Sequence, residues 1–524
     1  MGCTYINERA RLNGGSERIT PMRPMRVTRF RTWMLTVLVA NLATAALAAA
    51  AGVVGDGTPG SCTEAALETA LAGGGSVSFN CGPSPVKITL TSRKAISQDT
   101  SVDGGGLVSL SGAGASQVFA VTGKHITLSL SNLTIRDGFV SGGQGGAIYN
   151  KGTLNVTNST FFSNSSATDN HGIGGQGGAI FNLGTATTAG TTFLANSVIA
   201  DNELGEGGAI FNYGSLTSTN DTFSGNTVAA TNGGVGFGGA IVSTGRLSVI
   251  GSVFSDNTLV AGYGGAIHNL HTLAVKRATF LRNGSASLYD GGAISTFDTA
   301  SVADSTFADN TATLGGAIGH VNGKLTVTGC TFANNTGTSS GGAIENAEPL
   351  TVANSTFFQN GAAIGGGAIF NYGALSVASS TFADNTSANG AGAAIVNIAT
   401  AAFKNTIITT TTTDESCDTP SPITDKAHNI DSGASCGFNH THHSLSATDP
   451  QLDPARLVDN GGPTQTIAVE AGSPAINAGN AGACRAAPVK GVDQRGFARP
   501  GTGSTSCTIG AYEFNSPGPH ITAK

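Results

Sequence analysis

The chain reads as an all-β protein, a right-handed parallel β-helix (solenoid) with a short N-terminal helical cap and a small C-terminal cap module. Three observations predict this. A Gly-Ala-Ile unit recurs ten times (once as Gly-Ala-Ala-Ile) between Gly145 and Gly392, at intervals of 24 to 32 residues. A Phe-x-x-Asn motif follows in the first nine units, from Phe161 to Phe382; it begins 13 residues after the motif Ile except where Gly323 adds a fourteenth. Between the two motifs the apolar residues come two apart, as in Leu154 and Val156, Leu247 and Val249, or Leu375 and Val377. That is strand periodicity. A unit of this size cannot bury its own face, so the units must stack. Three short strands per coil, with coils ~4.8 Å apart, are the expected geometry.

Residues 1–50 read as a secretory signal peptide. Arg9, Arg11, Arg18, Arg23, Arg26, Arg29 and Arg31 precede an apolar run from Trp33 to Ala51, with cleavage expected near Ala48 to Ala51. A start at Met22 or Met25 would give a signal of ordinary length. The alternative is a retained anchor, because the run borders on the ~18 to 20 residues a span requires. Its Ala/Thr-rich end favours cleavage, which leaves no transmembrane span in the mature chain. Cysteine usage agrees with export: Cys3 leaves with the signal, while Cys62 and Cys81, Cys417 and Cys436, and Cys484 and Cys507 read as disulfide pairs outside the repeats. A zinc reading is poorer, since none of them forms a C-x-x-C. Cys330 is left over as a small residue buried in a repeat.

The mature chain then divides into an N-terminal cap (51–86), the β-helix (87–410), a loop or linker with a disulfide (411–445), a C-terminal module (446–515) and a tail (516–524). In the cap, Thr63 to Ala72 (TEAALETALA) is an amphipathic helix suited to covering the open first coil, whose bare edge would invite aggregation. Lys87 to Gly138 continues the helix in a less regular idiom. Within the repeats the Ile column (Ile148, Ile180, Ile210 and onward), the Leu and Val columns and the Phe column point inward, and stacked Phe rings fill the core. The residue after Ile is mixed in type (Tyr149, Phe181, Phe211, Val242, His268, Ser295) and is expected to face out. Asn then follows at 150, 182, 212, 269, 346, 371 and 397, suited to an amide ladder at a corner, and the Phe-x-x-Asn asparagines do the same at another. The glycines supply positive φ and close backbone approach. The six-residue spelling GGAIFN, repeated at Gly177, Gly207 and Gly366, is therefore scaffold. A G-x-G-x-x-G match at Gly172 to Gly177 has no helix after it and is chance.

Ten paired GGA[ILV] and FxxN motifs between Gly145 and about Asn397 resemble the polymorphic outer membrane protein repeats of chlamydial surface adhesins. The stretches Asp459 to Thr464 (DNGGPT), Gly472 to Gly479 (GSPAINAG), Asp493 to Gly496 (DQRG), Arg499-Pro500 and Cys507 to Glu513 (CTIGAYE) resemble the choice-of-anchor Q domain of bacterial secreted β-helix proteins. These resemblances imply an exported, adhesin-like protein, extracellular or at the cell surface in association with the bacterial outer membrane. They carry no catalytic residues across. Outer membrane relatives end in a translocator barrel, and the residues after Glu513 are too few for one.

The function expected is binding of a polysaccharide or of a host or cell-surface protein. The net charge of -6 and the absence of a basic run beyond the N-terminus exclude a counterion-release surface for nucleic acid. The alternative is a polysaccharide lyase or hydrolase of the pectin-lyase-like β-helix type, which needs converging carboxylates. Asp201, Glu203 and Glu206 cluster in one long loop, Asp290, Asp298, Asp304 and Asp309 fall within two coils, and Asp256, Asp309 and Asp384 share one corner. Solvated loop carboxylates are the better account of all of these. His428, His440, His442 and His443 read as a polar loop rather than a metal site, no carboxylate being placed beside them in sequence. No catalytic residue, metal or cofactor is assigned. Asp493, Arg495 and Arg499 are expected to form a salt-bridge cluster. The insertions Ser165 to Gln176, Ser197 to Glu206 and Thr227 to Phe237 are longer than their later counterparts. With Tyr149, Phe181, Phe211 and Tyr213 exposed beside them, they are the expected binding patch.

Overall fold

A computed structural model of the chain describes residues 52–169, 175–285, 291–410 and 414–519. The segment read as a signal peptide, Cys3, the first part of the G-x-G-x-x-G match and Asp290 lie outside the described residues. The fold is a parallel β-solenoid of about 14 turns. The nine coils that carry both motifs hold at least four short strands each rather than three. In one coil these are Ile210–Asn212, Ser215–Thr219, Thr222–Ser224 and Thr227–Thr231. The extra strand arises because Asn220, in the left-handed region at φ 52°, bends the stretch between the Leu and Phe strands.

Neighbouring coils pair in parallel and in strict register, Ile on Ile and Phe on Phe. Phe161 to Phe382 form a continuous buried stack, with ring centroids 4.6 to 5.0 Å apart and planes within 3 to 8° of parallel. Coil spacing sets the ring spacing, so one residue type repeated at one position builds most of the core. Beside it runs the FxxN ladder from Asn164 to Asn385, all buried. After Asn164, whose Oδ1 accepts from the Gly138 N–H, each Oδ1 accepts from both the backbone N–H and the Nδ2 of the Asn one coil earlier, as Asn310 does from Asn283 at 3.0 Å in both cases. Each Nδ2 also donates to a carbonyl one coil back, that of Ile135 for Asn164 and of a Phe for the rest, as Asn283 does to Phe254 at 2.9 Å. The second Asn ladder is broken in mid-helix, where Ser243, Thr296 and His320 take the place of Asn.

The motif glycines divide the work. The first takes φ between 55 and 80°. At the second, a Cβ would lie near 2.1 Å from the next coil's carbonyl, as at Gly178 against Gly208. A side chain is excluded at the second position of the glycine-paired units, and the last unit carries Ala393 there.

At the N-terminus the helix Glu64–Leu71 is capped by Thr63 and buries Leu67 and Ala70 against the first coil. Glu64 and Glu68 hold Lys94, a buried lysine of the second coil. Burial acts to raise the Glu64 carboxyl, but hydrogen bonds from Lys94 and Thr91 bring it down to about 2. The three cysteine pairs are bonded as expected and Cys330 is free and buried.

Residues 411–445, expected as a linker, contain strands of a final coil. Cys417–Asp418, Ile423–Asp425 and Ile430–Asp431 pair with the strands before them, and Phe438 packs on Phe403. The C-terminal module is not a cap over the open end. It folds back along the flank of the solenoid, where Leu452, Ile467, Val469, Ala475 and Ile509 pack against Phe358, Ala383, Ile407 and Ile430. Inside the module Asp493 is buried and bound by Arg495 at 2.7 Å, while Arg499 lies 3.7 Å from Glu513 and donates to the Thr508 and Gly510 carbonyls.

Candidate functional site

The bend between the second and third strands places one left-handed residue per coil in a column along the axis: Asn158, Gly190, Asn220, Gly251, Arg277, Asp304, Gly329, Asn354, Ser379 and Asn405, all with φ between 46 and 66°. Asn and Gly suit this geometry. Arg277 and Asp304 are the two charged members.

The C-terminal module docks on the same column. Thr464 Oγ1 donates to the Gly329 carbonyl at 3.0 Å, Asn354 Nδ2 to that of Val492 at 3.1 Å, and the Asn480 N–H to Asn405 Oδ1 at 2.8 Å. Where the edge of the module overhangs the column, a cavity of about 300 Å³ is left. Arg277, Asp304, Gly329, Asn354, Pro463, Pro488, Val489, Lys490 and Arg495 contribute to its walls. Burial pushes the Asp304 carboxyl above its ordinary range, against the opposing pull of Lys276 and Arg277. Asn354 is 6 % exposed and its Oδ1 has no donor. None of Arg277, Asn354 and Lys490 was singled out in the sequence. The cleft exists only because residues 135 positions apart, Asn354 and Val489, meet across it.

The expected aromatic patch is corrected in part. Phe181 and Phe211 are buried, at 3 % and 4 % exposure, and the residue after the motif Ile faces a second apolar layer instead of solvent. The second and third long insertions carry strands of their own. They contribute Leu204–Glu206 and Val235–Phe237 to a small sheet completed by Gly262–Tyr263 of the next coil, and Phe237 packs on the cluster of Phe181, Phe211 and Val242. Tyr149 is half-buried and stacks on Phe181 at 5.5 Å. Tyr213 is 62 % exposed. It belongs to the column just after the second Asn ladder, where Leu183, Tyr213, Leu270, Phe297, Val321, Ala347, Tyr372 and Ile398 make a partly exposed apolar ridge interrupted by Thr244. From Leu183 to Ile398 the ridge runs roughly 40 Å at one coil per ~4.8 Å.

The carboxylates named from the sequence are spread over separate structures. Asp201 accepts from Thr231 and Asn232, Glu206 from Gln176, and Asp256 pairs with Arg282 at 2.8 Å. Asp298 binds its own turn, Asp304 lies in the cleft, and Asp309 occupies a left-handed corner at φ 56°. Asp384 faces Arg456 of the C-terminal module at 3.5 Å. Among the histidines, His442 does have a carboxylate beside it, Asp425 at 3.6 Å, because the final coil brings that strand under the turn His440–His442. His428 stacks on His443 and bonds the Ala478 carbonyl. Among the described residues no group of three or more His, Cys, Asp or Glu side chains is placed to hold a metal ion.

Fold and surface together define the class: a parallel β-helix with disulfide-bonded ends and a flank-docked C-terminal module. No family model and no curated protein sequence matches the chain. Among solved structures, the catalytic unit of a thermostable GH87 α-1,3-glucanase from Streptomyces thermodiastaticus strain HF3-3 is similar, with 16 % identity and a TM-score of 0.32. The match covers 73 % of this chain and 69 % of that one. No helix among the described residues is long and apolar enough to cross a membrane, and the three disulfides fit an extracellular protein.

Proposed function

We propose that this is an exported extracellular or surface protein, adhesin-like, that binds an extended glycan or a cell-surface protein along the side of its solenoid. The observation that carries the reading is the ridge from Leu183 to Ile398, with Tyr213 and Tyr372 standing 62 % and 48 % exposed. A row of mostly apolar side chains at the coil spacing, interrupted by Thr244, matches a partner that is itself extended. Tyr supplies a flat apolar face with a polar tip, the usual contact element of such surfaces. The resemblance of the repeats to surface adhesins and of residues 446–515 to a choice-of-anchor Q domain supports export and surface association at the outer membrane. The separation of the carboxylates weighs against a two-carboxylate hydrolase. Retention of the purified protein on a panel of immobilised polysaccharides and cell-surface extracts tests the ridge. Tyr213→Ala with Tyr372→Ala is expected to abolish retention while leaving the melting temperature unchanged. Retention that survives both substitutions would overturn it.

A further inference from the structure

One residue inserted into the repeat makes a chemically reactive corner. Elsewhere a single residue joins the ridge column to the strand that follows, and it is glycine at Gly184, Gly214 and Gly373. After Val321 there are two, Asn322 and Gly323. Gly323 keeps the place of the lone glycine: its φ is 83°, and a Cβ there would lie 2.6 Å from the Asp298 carbonyl carbon. Asn322 is therefore the residue pushed outward, and its side chain is exposed. Its Oδ1 accepts from the Gly323 N–H at 2.8 Å. That bond holds the backbone nitrogen of Gly323 against the Asn322 carboxamide, whose Cγ carries the accepting oxygen. No Cβ on Gly323 obstructs the approach, and the fold admits no other residue there.

The other Asn-Gly steps among the described residues are held differently. Asn283 and Asn360 are buried in the FxxN ladder with both ends of the amide bonded. Asn232 donates from Nδ2 to Asp201, and Asn389 accepts from Ser387 and from the Ala391 N–H. At Asn460 the Gly461 N–H is taken by Asp459. One coil before Asn322, Asp298 holds the Thr299 N–H in the same way at 2.6 Å, but an ionised carboxylate resists attack by a nucleophile.

We propose that Asn322 is a site of spontaneous deamidation, a covalent modification that needs no enzyme and only water as reactant. The Gly323 nitrogen gives its proton to hydroxide and attacks Cγ. The new C–N bond closes a succinimide ring, and the Cγ–Nδ2 bond breaks, Nδ2 taking up a proton and leaving as ammonia. Water then adds to either ring carbonyl and opens the ring, to aspartate or to isoaspartate. An amide and a water become a carboxylate and an ammonium ion, with no oxidant or reductant. The new carboxylate stands at the same corner as Asp298 and Glu348 of the neighbouring coils and next to Val321 of the ridge, so this corner turns more acidic as the protein ages. The chemistry does not depend on what the ridge binds.

The test is peptide mapping by mass spectrometry of the folded protein during incubation at mildly alkaline pH, with isoaspartate read by enzymatic methylation. Asn322 is expected to convert at least about tenfold faster than Asn283 and Asn360, and ahead of Asn232, Asn389 and Asn460. Unfolding in urea removes the difference in geometry, and the six steps are then expected to converge in rate. Asn322→Gln, whose longer side chain cannot close the same ring, is expected to abolish the fastest phase of ammonia release and to leave the melting temperature unchanged. An intact Asn322 after another Asn-Gly step has converted would overturn the proposal. So would equal rates at all six steps in the folded protein, or ammonia release unchanged by Asn322→Gln.

Discussion

Asn283 sits midway in the FxxN ladder, and its amide serves four partners. It accepts from the N–H and Nδ2 of Asn257, and donates to the Phe254 carbonyl and Asn310 Oδ1. Asn283→Ala leaves several buried polar groups unpaired at about 1–3 kcal/mol each, so a loss of at least about 3 kcal/mol is expected in urea unfolding. A loss below about 1 kcal/mol would mean that water or a shifted neighbour replaces the amide. His268 makes a second prediction. It is buried in a box of Phe237, Tyr263 and Phe297 with Nδ1 unpartnered, and burial pushes its pKa down to about 3. The unfolded chain takes up this proton near the ordinary value of 6.5, so between 6.5 and 3 it holds more protons than the folded one. His268 therefore lowers stability as pH falls through that window, by up to about 1.4 kcal/mol per pH unit. His268→Phe is expected to narrow the gap between stabilities measured at pH 7 and pH 4.5, and an unchanged gap would contradict the burial argument. The Phe and Asn columns were legible in the sequence because each repeats one residue type at one spacing. The column after Ile was not. Its mixed composition reads as solvent-facing when each coil is considered alone, whereas the covering side chains come from elsewhere.

At the scale of elements, the insertions supply that cover. Leu204–Glu206, Val235–Phe237 and Gly262–Tyr263 form a sheet of their own, a structure that loop length alone does not disclose. Phe211 is thereby a core residue and Tyr213, two positions on, a surface one. Phe211→Ala is expected to cost about 3–5 kcal/mol of stability. Tyr213→Ala is expected to change stability by less than about 0.5 kcal/mol while removing glycan or protein retention. Thermal melts of the two variants, side by side, separate these roles, and equal effects would contradict the assignment. The C-terminal module shows the same limit. Its motifs were legible, but its place was not, because contacts such as Gln494 with Cys330 and Thr331 span more than 160 residues.

For the whole molecule, the repeat settles the architecture. Strand period, strict register and ladder residues all point to one stack, and the structure agrees from the helical cap to the final coil. What the stack is for rests on its sides: an apolar ridge along one, and a polar cleft under the docked module on another. Of the two carboxylates that line the cleft, Asp304 and Asp493, the second is already bound to Arg495 at 2.7 Å. The measurement that bears most directly on this is a reducing-end assay of the purified protein against acidic and neutral polysaccharides, with calcium present. Retention without new reducing ends is the result predicted for a binding protein. Steady release of reducing ends would contradict it and direct attention to Asp304 and the carboxylates around Asp201.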